Sequence, residues 1–189
     1  IITCHIGNGG SITAIKDGKS VDTSMGLTPT EGLMMGTRVG DIDPGALVYL
    51  MQRRGIGADE LQKIINKESG VLGVSGISND MRDIEAGIKA GDERAKLAMD
   101  MYEYRILKYI GAYAAVLGGV DIIVFTGGVG ENRTGTREAI CGNLAFMGVT
   151  FDPEANKVRG EEIEISGKDS KIHVVVIPTD EEMMIAEDT

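Results

Sequence analysis

The sequence predicts an α/β fold, a mixed sheet flanked by helices, and three observations carry that expectation. Residues 1–24 alternate apolar and polar positions across Gly- and Asp-rich turns, as antiparallel strands do. Beyond them, helical periodicity and short apolar runs take turns, with strand-like runs at 120–126 and 171–178. The chain is 189 residues long, a little over one domain at about 150 residues each.

The elements follow in order. Ile2, Cys4 and Ile6 alternate with Thr3 and His5, so one side of the first strand faces a core. A Gly7-Asn8-Gly9-Gly10 turn follows, and Ile12, Ala14 and Ile15 resume the run. Asp17-Gly18 is a second hairpin signal, and Val21 opens a third short strand. Segment 25–45 is polar and Gly-rich, which marks a loop. Pro44 suits the first turn of a helix reaching about Arg54. Residues 58–68 form an amphipathic helix, 70–78 read as loop, and Asp80 can cap a helix over 81–89. The longest helix spans 92–117. Asp92 is its N-cap, and Ala95, Ala98, Met99, Tyr102, Ile106, Ile110 and Tyr113 recur at helical spacing before Gly118-Gly119. Helices over 134–146 and 181–186 complete the reading.

Composition excludes several classes. The 19 basic and 29 acidic residues give a net charge of -10, which repels phosphate backbones and anionic lipids. Nucleic-acid and membrane-surface roles are therefore excluded. Hydrophobic residues make up 42% and charged residues 25%, which suits a globular core and not a disordered chain. The two cysteines, Cys4 and Cys141, read as reduced thiols in a cytoplasmic protein. No apolar run is long enough for a membrane span. Opening at Ile1 inside an alternating run, and closing at Thr189 after a helical segment, point to a piece of a longer protein.

Four segments could carry chemistry, each with a plain structural alternative. Residues 5–11 (HIGNGGS) could present backbone N–H groups to phosphate, or be an ordinary hairpin. Residues 124–132 (VFTGGVGEN) place glycines after a buried strand, where α/β sheets bind ligands, or simply where a tight turn is needed. They match neither a dinucleotide fingerprint nor a Walker loop. Residues 36–44 (GTRVGDIDP) hold Arg38, which could clamp a phosphoryl group or pair with Asp41 or Asp43. Residues 178–182 (PTDEE) could hold Mg²⁺ or start a helix. Asp80 could meet ribose hydroxyls or act as an N-cap.

In this order, with DTSMG at 22–26 and GISNDMRD at 76–83, the segments resemble the C-terminal domain of the acetate kinases. That family belongs to the acetate/sugar kinase–heat-shock protein–actin superfamily, and the resemblance spans essentially the whole chain. It implies an actin-like, ribonuclease H-like ATPase domain over 1–189, a single C-terminal nucleotide-binding domain whose N-terminal partner domain is absent. It implies that His5, Ile6, Gly7, Asn8 and Gly9 hold the ATP phosphates. Asp80, Met81 and Arg82 would touch the nucleoside, and Gly128, Val129, Gly130, Glu131 and Asn132 would form the adenosine turn. Arg38 would stabilise the transferring phosphoryl group, and Glu181 would be the Mg²⁺-associated carboxylate. Asp180 stands where Asn is usual in the family, and Ile6 where Leu is usual.

The implied reaction is reversible transfer of the γ-phosphoryl group of ATP to acetate, giving acetyl phosphate and ADP. A homodimer is also implied. Two alternatives remain: a propionate or butyrate kinase, and a non-catalytic nucleotide-sensing module of the actin type. The fragment alone is expected not to turn over.

Overall fold

The computed structural model describes residues 1–180. The helix expected over 181–186, and with it Glu181, lies outside the described residues. Strands β1 (Ile2–Ile6), β2 (Gly10–Lys16) and β3 (Lys19–Thr23) form the expected antiparallel meander. Three more strands, β4 (Ile122–Thr126), β5 (Ile163–Glu164) and β6 (His173–Val176), complete a mixed sheet of order β3-β2-β1-β4-β6-β5. β1, β4 and β6 are parallel neighbours; β2 and β5 run antiparallel to them, and β3 pairs antiparallel with β2.

Alternation sets the core. Ile2, Cys4 and Ile6 of β1 are fully buried beside Ile12 and Ala14 of β2, Ile123 and Phe125 of β4, and Val174 and Val176 of β6. Each large aliphatic side chain so buried contributes about 1.5–3 kcal/mol. Thr3 and His5 lie on the opposite face, half-buried. His173, the first residue of β6, is exposed and bonds Glu164 over 2.7 Å.

The helices mostly follow their signals. α1 (Pro44–Arg54) is capped by the Asp43 carboxylate on the Gly45 N–H, and α2 (Ala58–Lys67) follows. The loop expected over 70–78 is corrected: α3 (Gly70–Ser75) forms there. Its sequence, GVLGVS, is poor in helix formers. Tertiary hydrogen bonds compensate, because the carbonyls of Met35 and Gly36 accept the Val71 and Leu72 N–H groups, each over 2.9 Å. α4 (Met81–Lys89) starts at Asp80 as expected.

α5 (Glu93–Leu117) is the long helix, held at its start by Asp92 and ended by Gly118 in the left-handed region. Its buried face, from Ala95 to Tyr113, lies against β1, β2, α3 and α4. The glycine turn after β4 is itself helical, α6 (Gly127–Asn132), and α7 (Thr134–Gly142) ends four residues before the expected boundary. No helix of the described residues is long and apolar enough to cross a membrane.

Candidate functional site

Because β1, β4 and β6 are parallel neighbours, their carboxyl ends open side by side. Ligands of α/β sheets sit in such a crevice. The turn Gly7-Asn8-Gly9 leaves β1, α6 leaves β4, and residues 177–180 leave β6. With His5, Ser11 and Met25 these exits line a cavity of about 680 Å³.

The turn bares its backbone. The Gly7 N–H donates to the Gly9 carbonyl over 2.9 Å and closes it. The N–H groups of Asn8 and Gly9 have no acceptor among the described residues. Two such donors, with no side chain at Gly9, suit a phosphate oxygen. Gly127 has φ +77°, and a Cβ there would stand 2.9 Å from the Ile6 carbonyl oxygen and 3.2 Å from His5 Nε2. Only glycine lets β4 turn into α6 this close to β1. At Gly128 a Cβ would meet nothing within 4 Å. It would project into the open space that Gly128 lines.

A second cavity, of about 570 Å³, shares Asn8 and Gly128 with the first. Asn79, Asp80, Met81 and Arg82 line one wall, and Val129, Asn132 and Arg133 the other. The Asp80 carboxylate caps α4 through the Arg82 N–H at 2.8 Å and also takes the Arg82 guanidinium. These bonds hold Asp80 well below the usual carboxylate range, at about 2. The N-cap reading of Asp80 thus holds, at the rim of a cavity. Arg133 braces the two walls, donating to the Met81 carbonyl over 2.8 Å with Glu85 3.4 Å away.

Arg38 stands beside the turn. Its Nη1 lies 3.4 Å from where a Gly9 Cβ would be, and donates to the Pro29 carbonyl over 3.3 Å. It pairs with neither acid offered by its own loop. Asp41 instead holds Arg105 and the Tyr109 hydroxyl, each over 2.9 Å, which ties the loop to α5. Asp43 is spent on capping α1. The loop is fixed at its other end by Gly36, whose N–H donates to the Asn8 carbonyl over 2.9 Å. A Cβ at Gly36 would collide with Asn8 Oδ1.

The model of the acetokinase family matches residues 1–187. The chain belongs to the acetokinase family. It is 66% identical to an acetate kinase of Phocaeicola vulgatus over 189 residues, all of this chain and 48% of that protein. Against the crystal structure of Porphyromonas gingivalis acetate kinase it has a TM-score of 0.97 and 61% identity, covering 100% of this chain and 47% of that one. Against a propionate kinase of Francisella tularensis the values are 0.92 and 44%, over 100% and 48%. The chain spans about half the length of these relatives.

Within the acetokinase motifs, the structure gathers His5, Gly7, Asn8, Gly9, Gly128 and Glu131 at the first cavity. Asp80 to Arg82, Val129 and Asn132 gather at the second. Ile6 and Gly130 are buried beneath them. Ile6 is core, and a Cβ at Gly130 would stand 3.2 Å from its Cγ1. Glu181 lies outside the described residues, and no group of three metal-ligating side chains occurs among the described ones.

Sequence reasoning gave no role to Asn79 or Thr179, though both stand in quoted motifs, and missed Arg137. Asn79 donates to Asn8 Oδ1 over 3.2 Å. Arg137 is fully buried and gives five hydrogen bonds of 2.7–2.9 Å, to the Asn156 side chain and to the carbonyls of Gly130, Glu131, Asn156 and Val158. It thereby ties the end of α6 to a distant segment. A signal existed, since Arg137 occupies the same helical face as Ile140, Cys141 and Leu144.

Proposed function

We propose that this chain is the nucleotide-binding part of a kinase that reversibly transfers the γ-phosphoryl group of ATP to acetate. One observation carries the reading. Two cavities meet at Asn8 and Gly128, one floored by bare backbone and one walled by side chains, in a chain of this family. The first suits a polyphosphate and the second a nucleoside.

Phosphoryl transfer needs positioning and charge neutralisation more than covalent chemistry. The Asn8 and Gly9 N–H groups hold phosphate oxygens, and His5, at the cavity wall, adds a side-chain donor. Arg38, next to Gly9, is in reach of the outer phosphates once its guanidinium leaves the Pro29 carbonyl. It meets the charge that develops on the equatorial oxygens. Mg²⁺ takes one or two carboxylates together with phosphate oxygens and water. Asp180 lines the first cavity and suits that role, beside Glu181. The ion supplies charge neutralisation for the outer phosphates.

In this reading the acetate pocket lies partly, and the remaining catalytic groups lie, in the half of the relatives' length that this chain does not span, so the chain alone does not turn over. A homodimer fits the outward face of α5, where Leu97, Met101 and Tyr104 recur at helical spacing and stay exposed. Two buried cysteines without a disulfide fit the cytoplasm.

The test is trapping of acyl phosphate as hydroxamate by the full-length protein, with acetate, propionate and butyrate. Acetyl phosphate formation preferring acetate supports the reading. Preference for propionate or butyrate replaces acetate as the substrate, and nucleotide binding without any acyl phosphate returns the sensing module.

A further inference from the structure

The geometry points to Glu131 as a positioning residue and not a nucleotide contact: its carboxylate clasps the exit of β6 to the first turn of α6 and sets one wall of the phosphate-side cavity. This rests on the nucleotide reading above. The resemblance puts Glu131 in the adenosine turn, yet its residue lines the first cavity and not the second. One oxygen, Oε1, accepts the Gly127 N–H at 2.8 Å, the Thr179 N–H at 2.9 Å and the Thr179 hydroxyl at 3.2 Å. Bonds to an ionised acceptor are roughly twice as strong as neutral ones.

The clasp takes over where the sheet ends. The β4–β6 ladder closes at Phe125 and Val176, followed by one more bond from the Ile177 N–H to the Phe125 carbonyl over 3.0 Å. Past that point no strand pairing among the described residues fixes residues 178–180. Glu131, reaching back from the end of α6, restores the link, and the Thr126 and Thr179 hydroxyls reinforce it at 2.6 Å. Thr179 and Asp180 both line the cavity. Their distance from a bound polyphosphate is therefore set by a side chain that itself need not touch it. An error of about 1 Å in such a wall costs on the order of 10²-fold in rate.

The experiment uses the full-length protein with Glu131→Ala, Glu131→Gln, Thr179→Val and the double variant Glu131→Ala/Thr179→Val. Amide exchange without ligand reads the clasp directly. Glu131→Ala should accelerate exchange at Gly127 and Thr179 together, by on the order of tenfold. It should lower kcat by on the order of 10²-fold. KM for ATP should stay within about threefold, as expected when ground-state binding is untouched. Glu131→Gln keeps an acceptor oxygen and should restore much of the rate.

The double variant should be no worse than the poorer single one, because both remove one interaction. Unchanged exchange at both amides overturns the clasp. Multiplying losses in the double variant, or a loss confined to KM for ATP, overturn the positioning role. A wild-type protein that makes no acyl phosphate overturns the proposed reaction, whereas the exchange readout still tests the clasp.

Discussion

Asn8 and Gly36 fit as peg and notch: the Asn8 side-chain oxygen fills the space a Gly36 Cβ would need, and the Gly36 N–H donates to the Asn8 carbonyl over 2.9 Å. The phosphate turn and the loop carrying Arg38 are thus seated on each other. Gly36→Ala should displace one of them and cost turnover on the order of 10²-fold. Adding Asn8→Ala opens room for the new methyl group, so the double variant should lose less than the product of the two single losses. Steady-state kinetics on the full-length protein, with circular dichroism to confirm folding, checks this.

Gly128 borders both cavities and has nothing opposite its missing side chain. Gly128→Val should place an isopropyl group where the nucleotide passes from one cavity to the other. Calorimetric titration with Mg-ATP should show binding lost. Equal affinity in the two proteins would remove Gly128 from the site.

Among the described residues the Arg38 side chain donates only to the Pro29 carbonyl and the Met35 sulfur. It can leave both cheaply. In the full-length enzyme Arg38→Ala should lower kcat by on the order of 10²-fold or more, since a donor aimed at developing charge is lost. Thermal stability should barely change, which separates this effect from a folding defect.

Glu103 is a pH-dependent weakness. Burial on α5 pushes its carboxyl from 4.5 up to about 7. Between those values the folded chain holds a proton that the unfolded chain has released. Stability is therefore highest below pH 4.5 as far as this group is concerned, falls as pH rises through the window, and levels off above about 7. Glu103→Gln should flatten that slope and stabilise the protein at pH 8 by on the order of 1 kcal/mol, given the partial exposure of the group. Urea unfolding at pH 5 and pH 8 reads both effects.

Arg137 should be intolerant of change. Arg137→Met strips the Gly130, Asn156 and Val158 carbonyls of their donor and leaves the Glu131 carbonyl only the Gly160 N–H at 3.3 Å. The cost is on the order of 3 kcal/mol, measured by urea unfolding. Arg137→Lys should not recover it, because an ammonium cannot reproduce a planar fork of donors.

What could be read from the sequence was local. Alternation at Ile2, Cys4 and Ile6 gave the first strand its inner face, Asp80 and Asp92 announced their helices through the short-range chemistry of capping, and Pro44 announced α1 by its fit to a first turn. What could not be read was long-range. α3 forms because Met35 and Gly36 supply its acceptors, and nothing within GVLGVS says so. Arg38 had two acids nearby in sequence, but Asp41 is claimed by residues of α5 more than sixty positions away. Thr179 sits in the PTDEE segment, but its link to Glu131, 48 positions earlier, is visible only in the fold.

The two jaws of the nucleoside crevice are secured by opposite electrostatics. At the α4 jaw, Asp80 and Arg82 form an ion pair in water, with the Arg82 side chain 87% exposed. At the α6 jaw, Arg137 has its charge met by carbonyl dipoles out of water, and no carboxylate pairs with it among the described residues. Dissolved ions screen the first and hardly reach the second. Acid strong enough to protonate Asp80 unlatches one jaw and finds no carboxylate partner of Arg137 to titrate in the other. The crevice is therefore asymmetric: the α4 jaw is latched by an ion pair that salt screens, and the Arg137 anchor behind the α6 jaw by carbonyl dipoles that salt hardly reaches.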